Sequence, residues 1–458
     1  MLGVDIGTTN VKAALYNHRG EEVFVKSATY KLYTDKFGAA TQSANEIKEK
    51  VFQVLEESAV EASKRMFPIA FISFSAAMHS LTAVDREGNP ILPVYTFADR
   101  QAENVVHKLQ NEKGSAIYRR TGTPIHPMSP LVKLMWLKEE HPEVFDRAHK
   151  FLGVKSYIIS QLFGEYYTDY SIANATGLFN MHTLTWDEEA MEVAGVSSEK
   201  LPQLVSTTKV LTGIKPEIAT KLGFSQEIPI IIGASDGCLA NLGVNAIKPG
   251  KVALTIGTSG AIRTVVNQPV TDKEERTFCY ALTEDLFVVG GPVNNGGVVM
   301  EWAKNRFLET PNNNYAVLSQ KIESINPGAD GLFFHPYLLG ERSPIWRSDA
   351  KGSFFGLDMH HENEHMLRAV LEGINMNLYA VNEAIAEVIG IEANEFLVTG
   401  GFTNSETWLQ MIADIFGSTF AVTEVSENAC FGAVVLGLYA TGEITEFSEI
   451  EKSRICIS

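Results

Sequence analysis

Two loops of glycine and hydroxyl residues are the segments of this chain whose residue types suit phosphate chemistry. The first loop reads Asp5-Ile6-Gly7-Thr8-Thr9 and the second reads Thr255-Ile256-Gly257-Thr258-Ser259. Glycine lets backbone N–H groups approach an anion closely, and the hydroxyl side chains add further donors. One such loop is weak support for phosphate binding, because tight turns need glycine in any case. The repeated loop predicts two related lobes that face one polyphosphate.

An aspartate in the middle of the chain has the surroundings of a general base. Asp236 follows an apolar segment, residues 228–232, and lies between Gly233 and Gly237. A carboxylate at the end of a buried strand can face a cleft and accept the proton of a substrate hydroxyl during phosphoryl transfer. A turn aspartate that caps the following helix would have the same position. The position of Asp236 therefore leaves both interpretations open.

A double glycine, Gly400-Gly401, lies between the apolar residues 396–399 and a helical stretch that extends through Phe416. Because glycine has no side chain, this turn offers a surface on which a flat purine can rest. Packing of the strand against the helix would also favour two glycines. Neither the GxxxxGK[ST] motif nor the GxGxxG motif occurs in the chain, which disfavours the two common nucleotide-binding folds.

Alternating strands and helices are predicted to position these loops. Amphipathic helices are predicted for residues 45–65 and 363–388, where apolar residues recur at helical spacing. Strands are predicted for residues 2–6, 71–74, 228–232, 252–256, 286–289 and 396–399. This order is typical of an α/β fold whose parallel strands carry ligand-binding loops at their ends.

Length and composition indicate a globular protein of two or more domains. The chain has 458 residues, of which 45% are hydrophobic and 20% are charged. We predict a first domain of residues 1–245 and a second of residues 246–458, because the sequence Ala-Ile-Lys-Pro-Gly at 246–250 separates two strand-containing motifs. The formal net charge of −17 argues against nucleic acid and an anionic membrane as partners, since both would repel the chain.

The lack of a recognisable targeting signal and the spacing of the cysteines predict a reducing compartment. No apolar run reaches the roughly 18 residues that cross a bilayer, and the chain begins directly with a predicted strand. We therefore expect a cytoplasmic protein. The cysteines are far apart, without CxxC pairs or zinc-ligand spacing, and we expect them to be reduced thiols. They are Cys238, Cys279, Cys430 and Cys456.

Two longer segments carry a resemblance to a known family. Residues 128–140 read MSPLVKLMWLKEE, and residues 352–373 run from GSFFGL through His365-Met366 to AVLEG. With these signatures the chain resembles the FGGY carbohydrate kinases over almost its whole length. The resemblance implies an α/β fold with two ribonuclease-H-like domains of the actin and hexokinase type, and a cleft for ATP and sugar between them.

The resemblance also implies roles for individual residues. Asp5 would hold Mg²⁺ through water, and Asp236 would be the general base. The residues that border the transferred phosphate would be Thr8, Thr9 and Lys12. The residues that line the ATP site would be Gly257, Thr258, Gly297, Gly400, Gly401 and Ser405. The residues that line the sugar site would be Met78, His79, Asp99, Arg100, Asp236 and Arg342.

Within the family, several segments are most similar to gluconate kinases. These segments are residues 76–80, 121–128, 169–173 and 290–297. Xylulose kinases usually have glycine on both sides of a Gln-Met-His core, where this chain has Ala76, Ala77 and Ser80. The resemblance therefore implies transfer of the ATP γ-phosphate to gluconate in the presence of Mg²⁺. Xylulose or another pentulose is the alternative substrate.

An anionic sugar such as gluconate needs a cation or hydrogen-bond donors for its carboxylate. His79, Arg100 and Arg342 are the candidates, and arginine in particular suits bidentate carboxylate binding. Exposed salt bridges would use the same arginines equally well. Two functions of other classes stay open, a sugar sensor without catalysis and an actin-like ATPase. A homodimer also stays open, because the sequence does not set the oligomeric state.

Overall fold

Two six-stranded sheets with helices around them form the framework of the structure, a computed structural model that describes residues 1–308, 315–423 and 427–450. The strands of the first half are β1 (Leu2–Ile6), β2 (Asn10–Tyr16), β3 (Glu22–Thr29), β4 (Tyr33–Thr34), β5 (Ala40–Gln42), β6 (Ile72–Ala76), β7 (Thr82–Val84), β8 (Val94–Tyr95), β9 (Lys150–Leu152), β10 (Tyr167–Asp169), β11 (Phe179–Asn180), β12 (Thr185–Trp186), β13 (Gln203–Val205), β14 (Val210–Leu211) and β15 (Ile230–Ser235). The helices of this half are α1 (Ala44–Lys64), α2 (Glu103–Leu109), α3 (Ser115–Thr121), α4 (Pro130–Glu140), α5 (Pro142–Arg147), α6 (Val154–Phe163), α7 (Tyr170–Asn174), α8 (Glu188–Ala194), α9 (Pro216–Leu222) and α10 (Asp236–Gly243).

The second half of the chain adds the second sheet and the longest helix. Its strands are β16 (Lys251–Ile256), β17 (Gly260–Val266), β18 (Phe278–Ala281), β19 (Phe287–Val293), β20 (Phe333–His335), β21 (Ser353–Phe355), β22 (Glu395–Thr399) and β23 (Phe420–Val422). Its helices are α11 (Gly297–Phe307), α12 (Tyr315–Glu323), α13 (Asn363–Ile389), α14 (Glu406–Phe416) and α15 (Asn428–Ala440).

The two large sheets share one arrangement of strands around a hairpin. The first sheet has the order β14-β15-β6-β1-β2-β3, and the second has the order β18-β19-β17-β16-β22-β23. In the first, β1 pairs antiparallel with β2 and parallel with β6; in the second, β16 pairs antiparallel with β17 and parallel with β22. The two glycine-hydroxyl loops are the turns of these hairpins. The predicted pair of related α/β lobes is confirmed, and we call the unit around β1 the first lobe and the unit around β16 the second lobe.

The two long amphipathic helices lie where the sequence predicts them. Helix α1 begins after Ser43, whose side chain accepts the N–H of Glu46, as an N-cap serine does. Helix α13 ends at Gly390, whose φ of 68° is the left-handed conformation that favours glycine. Both helices bury their apolar stripes, α1 in the core of the first lobe and α13 in that of the second. The predicted strands correspond to β1, β6, β15, β16, β19 and β22.

A helix near the end of the described chain packs on the first lobe. Helix α15 follows the second sheet in sequence, yet it packs against β1, β6 and α10 of the first lobe. The approach to α10 is so close that a Cβ on Gly432 would lie 1.9 Å from the carbonyl oxygen of Leu239. The assignment of residues 246–458 to one domain therefore stays a prediction.

The interior contains the cysteines that the structure describes. Cys238, Cys279 and Cys430 are free thiols and buried, as expected of reduced cysteines, whereas Cys456 lies outside the described residues. Within the described ranges, no helix is both long enough and apolar enough to cross a membrane.

Candidate active site

Asp5 lies near the end of β1, beside the first loop. The hydroxyl of Ser75 on the neighbouring strand β6 donates a hydrogen bond of 2.6 Å to Asp5 Oδ1. The other oxygen, Oδ2, is on the side of the loop, 3.9 Å from the place of a Cβ on Gly7. Burial raises the pKa of Asp5, against the opposing effects of the Ser75 hydrogen bond and the Lys12 ammonium. Serine thus fixes one carboxylate oxygen, and the other faces the loop.

Lys12 lies opposite Asp5 on β2 and forms an ion pair. Its Nζ lies 3.0 Å from Oε1 and 2.9 Å from Oε2 of Glu427, the residue before α15. In this arrangement Glu427 balances the charge of Lys12. The contact of Lys12 with a transferred phosphate stays a prediction. Glu427 accepts two of the three ammonium N–H groups, so a phosphate would use the third or replace Glu427. Sequence reasoning missed Glu427, which is separated from Lys12 by most of the chain.

The backbone of the first loop is held by residues of its own lobe. The Tyr30 hydroxyl donates a hydrogen bond to the carbonyl oxygen of Gly7. The side-chain amide of Gln42 donates a hydrogen bond of 2.5 Å to the carbonyl oxygen of Thr8. Thr8 is half-buried and Thr9 is exposed. The loop is therefore anchored through its carbonyl groups, and it carries its hydroxyl groups on a fixed backbone.

Asp236 is the first residue of α10 and follows β15 directly. Its Oδ1 accepts the N–H of Gly237 at 2.7 Å, and the residue stays partly exposed. Burial and the Asp5 carboxylate raise the pKa of Asp236 to about 7, against the opposing effect of the Arg263 guanidinium. A carboxylate with a pKa near neutrality is well suited to accept and release a proton.

Arg263 is a neighbour of Asp236 that sequence reasoning missed. It lies on β17 of the second lobe, and its Nη1 is buried without a hydrogen-bond partner among the described residues. A Cβ on Gly237 would lie 3.3 Å from Arg263 Nε and 2.8 Å from Met78 Cε. Glycine at this position therefore lets the two lobes meet beside Asp236. The sequence does carry a signal for this residue, because Arg263 is the charged residue in the otherwise largely apolar strand β17.

The segment at residues 169–173 supports the end of β15, which leads directly into Asp236. Asp169 Oδ2 lies 2.8 Å from Nζ of Lys155, and both side chains are buried. The same ammonium donates a hydrogen bond of 2.9 Å to the carbonyl oxygen of Ala234. A buried ion pair thus fixes the backbone just before Asp236. Sequence reasoning missed Lys155, which carries no local motif.

His79, at the predicted sugar site, is held in a strained and buried conformation. Its φ is 64° and 7% of its surface is exposed. Its Nδ1 lies 2.7 Å from the carbonyl oxygen of Ala175, and because a carbonyl only accepts, Nδ1 carries the proton. Burial, together with the Lys133 ammonium, lowers the pKa of His79 to about 3. The ring is neutral at physiological pH, so it supplies no positive charge for a carboxylate.

Arg342 is a buried cation at the same site. Its Nε donates to Asn294 Oδ1 at 2.8 Å, and its Nη2 donates to the carbonyl oxygen of Val293 at 3.3 Å. The guanidinium lies 5.2 Å from the centre of the Phe97 ring, within the range of a cation–π contact. Burial lowers the pKa of Arg342 to about 10, so the group keeps its charge at neutral pH. Of the three residues predicted to bind a carboxylate, Arg342 is both buried and charged, whereas His79 is neutral and Arg100 is exposed.

Asp99 and Arg100 hold their loop against residues 38–40. The Asp99 carboxylate is 1% exposed, and it accepts the N–H of Ala40 at 2.8 Å and the side-chain amide of Gln101 at 3.0 Å. Arg100 is exposed, and its backbone N–H donates to the carbonyl oxygen of Gly38 at 2.8 Å. These contacts stabilise the loop, and sugar contacts of both residues stay a prediction.

Lys133, within the segment at residues 128–140, joins the loops around His79. Its buried ammonium donates to the carbonyl oxygens of His79 at 3.3 Å, Thr96 at 2.8 Å and Met128. Burial lowers the pKa of Lys133 to about 7. Three separate loops are therefore fixed to one side chain, which explains a lysine among the buried residues 130–137 of α4.

A cavity of about 700 Å³ opens in the second lobe. Its lining includes five of the predicted ATP-site residues, Gly257, Thr258, Gly297, Gly401 and Ser405. Gly400 lies behind this surface: its φ is 106°, and a Cβ there would lie 2.2 Å from the carbonyl oxygen of Ile256. The apolar walls are Met300, Leu318, Ile322, Leu371, Phe402 and Trp408. Glycine turns beside apolar walls suit a purine with attached phosphates.

Comparisons with known proteins match both halves of the chain. Models of the FGGY family of carbohydrate kinases match residues 1–243 with the N-terminal domain and residues 252–441 with the C-terminal domain. A gluconokinase from Bacillus subtilis is 48% identical over 98% of this chain and 89% of that protein. Solved structures of a gluconate kinase and of a ligand-bound xylulose kinase, both from Lactobacillus acidophilus, each match with a TM-score of 0.93 and 38% identity. Each match covers 99% of this chain and 91% of the other.

Proposed function

Because the chain belongs to the FGGY family of carbohydrate kinases, we propose that it transfers the γ-phosphate of ATP to the terminal hydroxyl of gluconate. The observation that carries the proposal is the position of Asp236, a partly exposed carboxylate with a pKa near 7 where the two lobes meet. The gluconokinase relative, 48% identical over 98% of the chain, supports gluconate as the sugar.

Asp236 is the general base of the proposed reaction. It accepts the proton of the terminal hydroxyl while the hydroxyl oxygen bonds to the γ-phosphorus, and the bond from that phosphorus to the β–γ bridging oxygen breaks, so that ADP leaves. The N–H of Gly237 orients the carboxylate, and Arg263 favours its ionised form. Lys155 holds the preceding backbone. Such fixed geometry contributes to the rate because less reorganisation is needed in the transition state.

The residues around Asp5 fit a magnesium ion. Mg²⁺ takes oxygen ligands and is usually held by one or two carboxylates together with substrate phosphates. Asp5 offers Oδ2, since Ser75 occupies Oδ1, and Glu427 is a second carboxylate nearby. The described residues contain no group of three or more metal-ligating side chains, which agrees with an ion held largely by phosphates. A bound Mg²⁺ would neutralise charge on the triphosphate.

ATP is proposed to bind in the cavity of the second lobe. The purine would rest on Gly401 between the apolar walls, with the phosphates toward Gly257 and Thr258. Helix α11 holds this turn in place, since the N–H of Gly297 donates to the carbonyl oxygen of Gly257 at 2.8 Å. Closure of the lobes would then bring the γ-phosphate to the sugar hydroxyl and exclude water.

Gluconate differs from the alternative pentuloses by its carboxylate. The buried charge of Arg342 favours an anionic sugar over a neutral ketose such as xylulose, the sugar named for one solved structure of the same fold. A sugar sensor or an actin-like ATPase would not need Asp236 beside a sugar site. The acid and its supporting contacts therefore favour a kinase.

The experiment that tests the proposal is ADP release with Mg²⁺, ATP and a panel of gluconate, xylulose, ribulose, glycerol and rhamnulose. We expect gluconate to give the highest kcat/KM and ATP hydrolysis without sugar to be slow. Preference for a neutral ketose would reject gluconate and keep the kinase. Hydrolysis that does not depend on any sugar would reject the kinase.

A further inference from the structure

Two buried histidines at the sugar site present opposite hydrogen-bonding groups. His79 donates from Nδ1 to the carbonyl oxygen of Ala175, so its Nε2 is an acceptor. In His126 the direction is reversed, because Nδ1 lies 3.2 Å from the backbone N–H of Met128 and accepts from it. Burial, together with the Arg342 guanidinium, lowers the pKa of His126 to about 3, so the ring is neutral. Its single proton is therefore on Nε2, which is a donor.

The Nε2 donor of His126 is unsatisfied within the protein. The residue is 6% exposed, and Nε2 is buried without a hydrogen-bond partner among the described residues. Buried donors are nearly always paired, so an exception needs an explanation. His126 also belongs to residues 121–128, a segment that resembles gluconate kinases and to which the proposed reaction assigns no role.

The surroundings of His126 favour an anion. Arg342, Lys133 and Arg100 each lower the pKa of His126, as nearby positive charges do. Arg342 uses Nε and Nη2 for contacts within the protein, which leaves Nη1 as a further donor. A neutral N–H donor, together with a guanidinium whose charge acts on the same ring, favours an oxygen anion over a hydroxyl.

We propose that Nε2 of His126 and the guanidinium of Arg342 bind the carboxylate of the substrate and so select an aldonic acid against a neutral ketose. The inference rests on the proposed function, and it identifies the end of the sugar opposite the hydroxyl that faces Asp236. His79, with its acceptor Nε2, then binds a hydroxyl of the sugar rather than the carboxylate.

The carboxylate subsite is formed by residues from both halves of the chain. The ring of Trp346 lies 5.7 Å from the ring of His126. Its backbone N–H donates to the carbonyl oxygen of Arg342 at 2.5 Å, so the two residues form one turn. Trp346 and Arg342 come from the second half and His126 from the first. Residues of both halves of the chain therefore build the proposed subsite.

Two substitutions of His126 separate its two hydrogen bonds. In His126→Asn, Oδ1 can still accept the N–H of Met128, as in an Asx turn, but the distal donor is lost. In His126→Gln, the side-chain amide places an N–H donor near the former Nε2 but loses the acceptor near the backbone. His149→Asn, at a histidine beside Tyr166, is the matched control.

Steady-state ADP release and thermal unfolding are measured for each variant, with sodium gluconate as the sugar. We expect His126→Asn to raise the KM for gluconate about 10- to 100-fold, the range for a lost hydrogen bond to a charged group. Its kcat, its KM for ATP and its Tm should stay close to those of the original protein. His126→Gln should have an intermediate KM for gluconate, and His149→Asn should change none of these quantities.

The outcomes distinguish this proposal from the proposed function. If His126→Asn keeps the KM for gluconate within twofold, the carboxylate does not bind His126. If both variants raise that KM equally, the ring shape and not the donor matters, and the proposal is wrong. If the unsubstituted protein phosphorylates neutral ketoses and not gluconate, the proposed function itself fails and the carboxylate subsite fails with it.

Discussion

The substitution Asp236→Asn removes the proposed proton acceptor and keeps the shape of the side chain. Asparagine Oδ1 can still accept the N–H of Gly237, which lies 2.7 Å from the present oxygen. We expect kcat to fall about 10²- to 10⁴-fold, the usual contribution of a general base. The KM values for ATP and gluconate should change little, because the base acts on the transition state rather than on binding.

The same substitution should stabilise the free enzyme, and the effect should depend on pH. Folding raises the pKa of Asp236 from 3.8 to about 7. Wild-type stability therefore falls as the pH rises from about 4 to about 7, because ionisation becomes less favourable in the native state than in the unfolded state. This pKa difference corresponds to about 4 kcal/mol as an upper bound. Asparagine does not ionise, so its advantage should reach a plateau above pH 7 and vanish near pH 4.

ADP release at saturating ATP and gluconate measures kcat, and urea unfolding at pH 5 and pH 8 measures stability. The wild-type kcat/KM for gluconate, measured below saturation, should rise with pH around a midpoint near 7, and the residual activity of Asp236→Asn should lack that dependence. Asp285→Asn makes the same charge change in an exposed turn and is the matched control. A near-normal kcat would refute the role of Asp236 as the base. A stability difference that is equal at both pH values would refute the raised pKa.

Two further pairs of substitutions test the framework by urea unfolding. Gly400→Ala should lower the free energy of unfolding by at least about 1–3 kcal/mol, because φ is 106° and the new Cβ would lie 2.2 Å from the carbonyl oxygen of Ile256. A Cβ on Gly401 would have nothing within 4 Å, so Gly401→Ala should be nearly neutral. Equal losses of stability in the two variants would contradict the close approach at Gly400. Lys155→Met should cost about 3–5 kcal/mol because it leaves Asp169 buried without its cation. Adding Asp169→Leu to that variant should restore much of the loss, and a double variant no more stable than the single one would argue against the ion pair.

Local patterns in the sequence predict the framework and the glycine turns that line the cavity of the second lobe. An apolar strand that ends in glycine and hydroxyl residues is a local signal, and both loops form hairpin turns at equivalent places in the two sheets. Gly257 and Gly401 are far apart in sequence, yet they line one cavity. Parallel strands bring their ends to one edge of a sheet, and the sequence predicts strands that end near glycine. The pairing of β16 with β22, which brings these two turns together, is known from the structure.

The charged contacts around the predicted phosphate and sugar sites could not be predicted in the same way. The pairing of Lys12 with Glu427 depends on how α15 returns to the first lobe, and no local pattern records that. The charge of His79 depends on burial and on the carbonyl oxygen of Ala175. Its sequence suggests a cation, and its environment makes it a neutral acceptor. Such properties arise from tertiary packing and not from residue type alone.

The two glycine-hydroxyl loops show how one framework can serve two proposed roles. Asp5 lies opposite Ser75 on the parallel neighbour β6 and accepts a hydrogen bond from the Ser75 hydroxyl. Thr255 lies opposite Thr399 on β22 in the same way, and their hydroxyl oxygens are 3.0 Å apart. The cross-strand hydrogen bond is therefore kept while a carboxylate is exchanged for a hydroxyl. A second carboxylate would repel the triphosphate that the second lobe is proposed to hold, whereas a hydroxyl adds a donor without charge. A carboxylate near phosphates is favourable only where Mg²⁺ offsets its charge. We therefore assign the metal to Asp5 and the nucleotide to the second lobe.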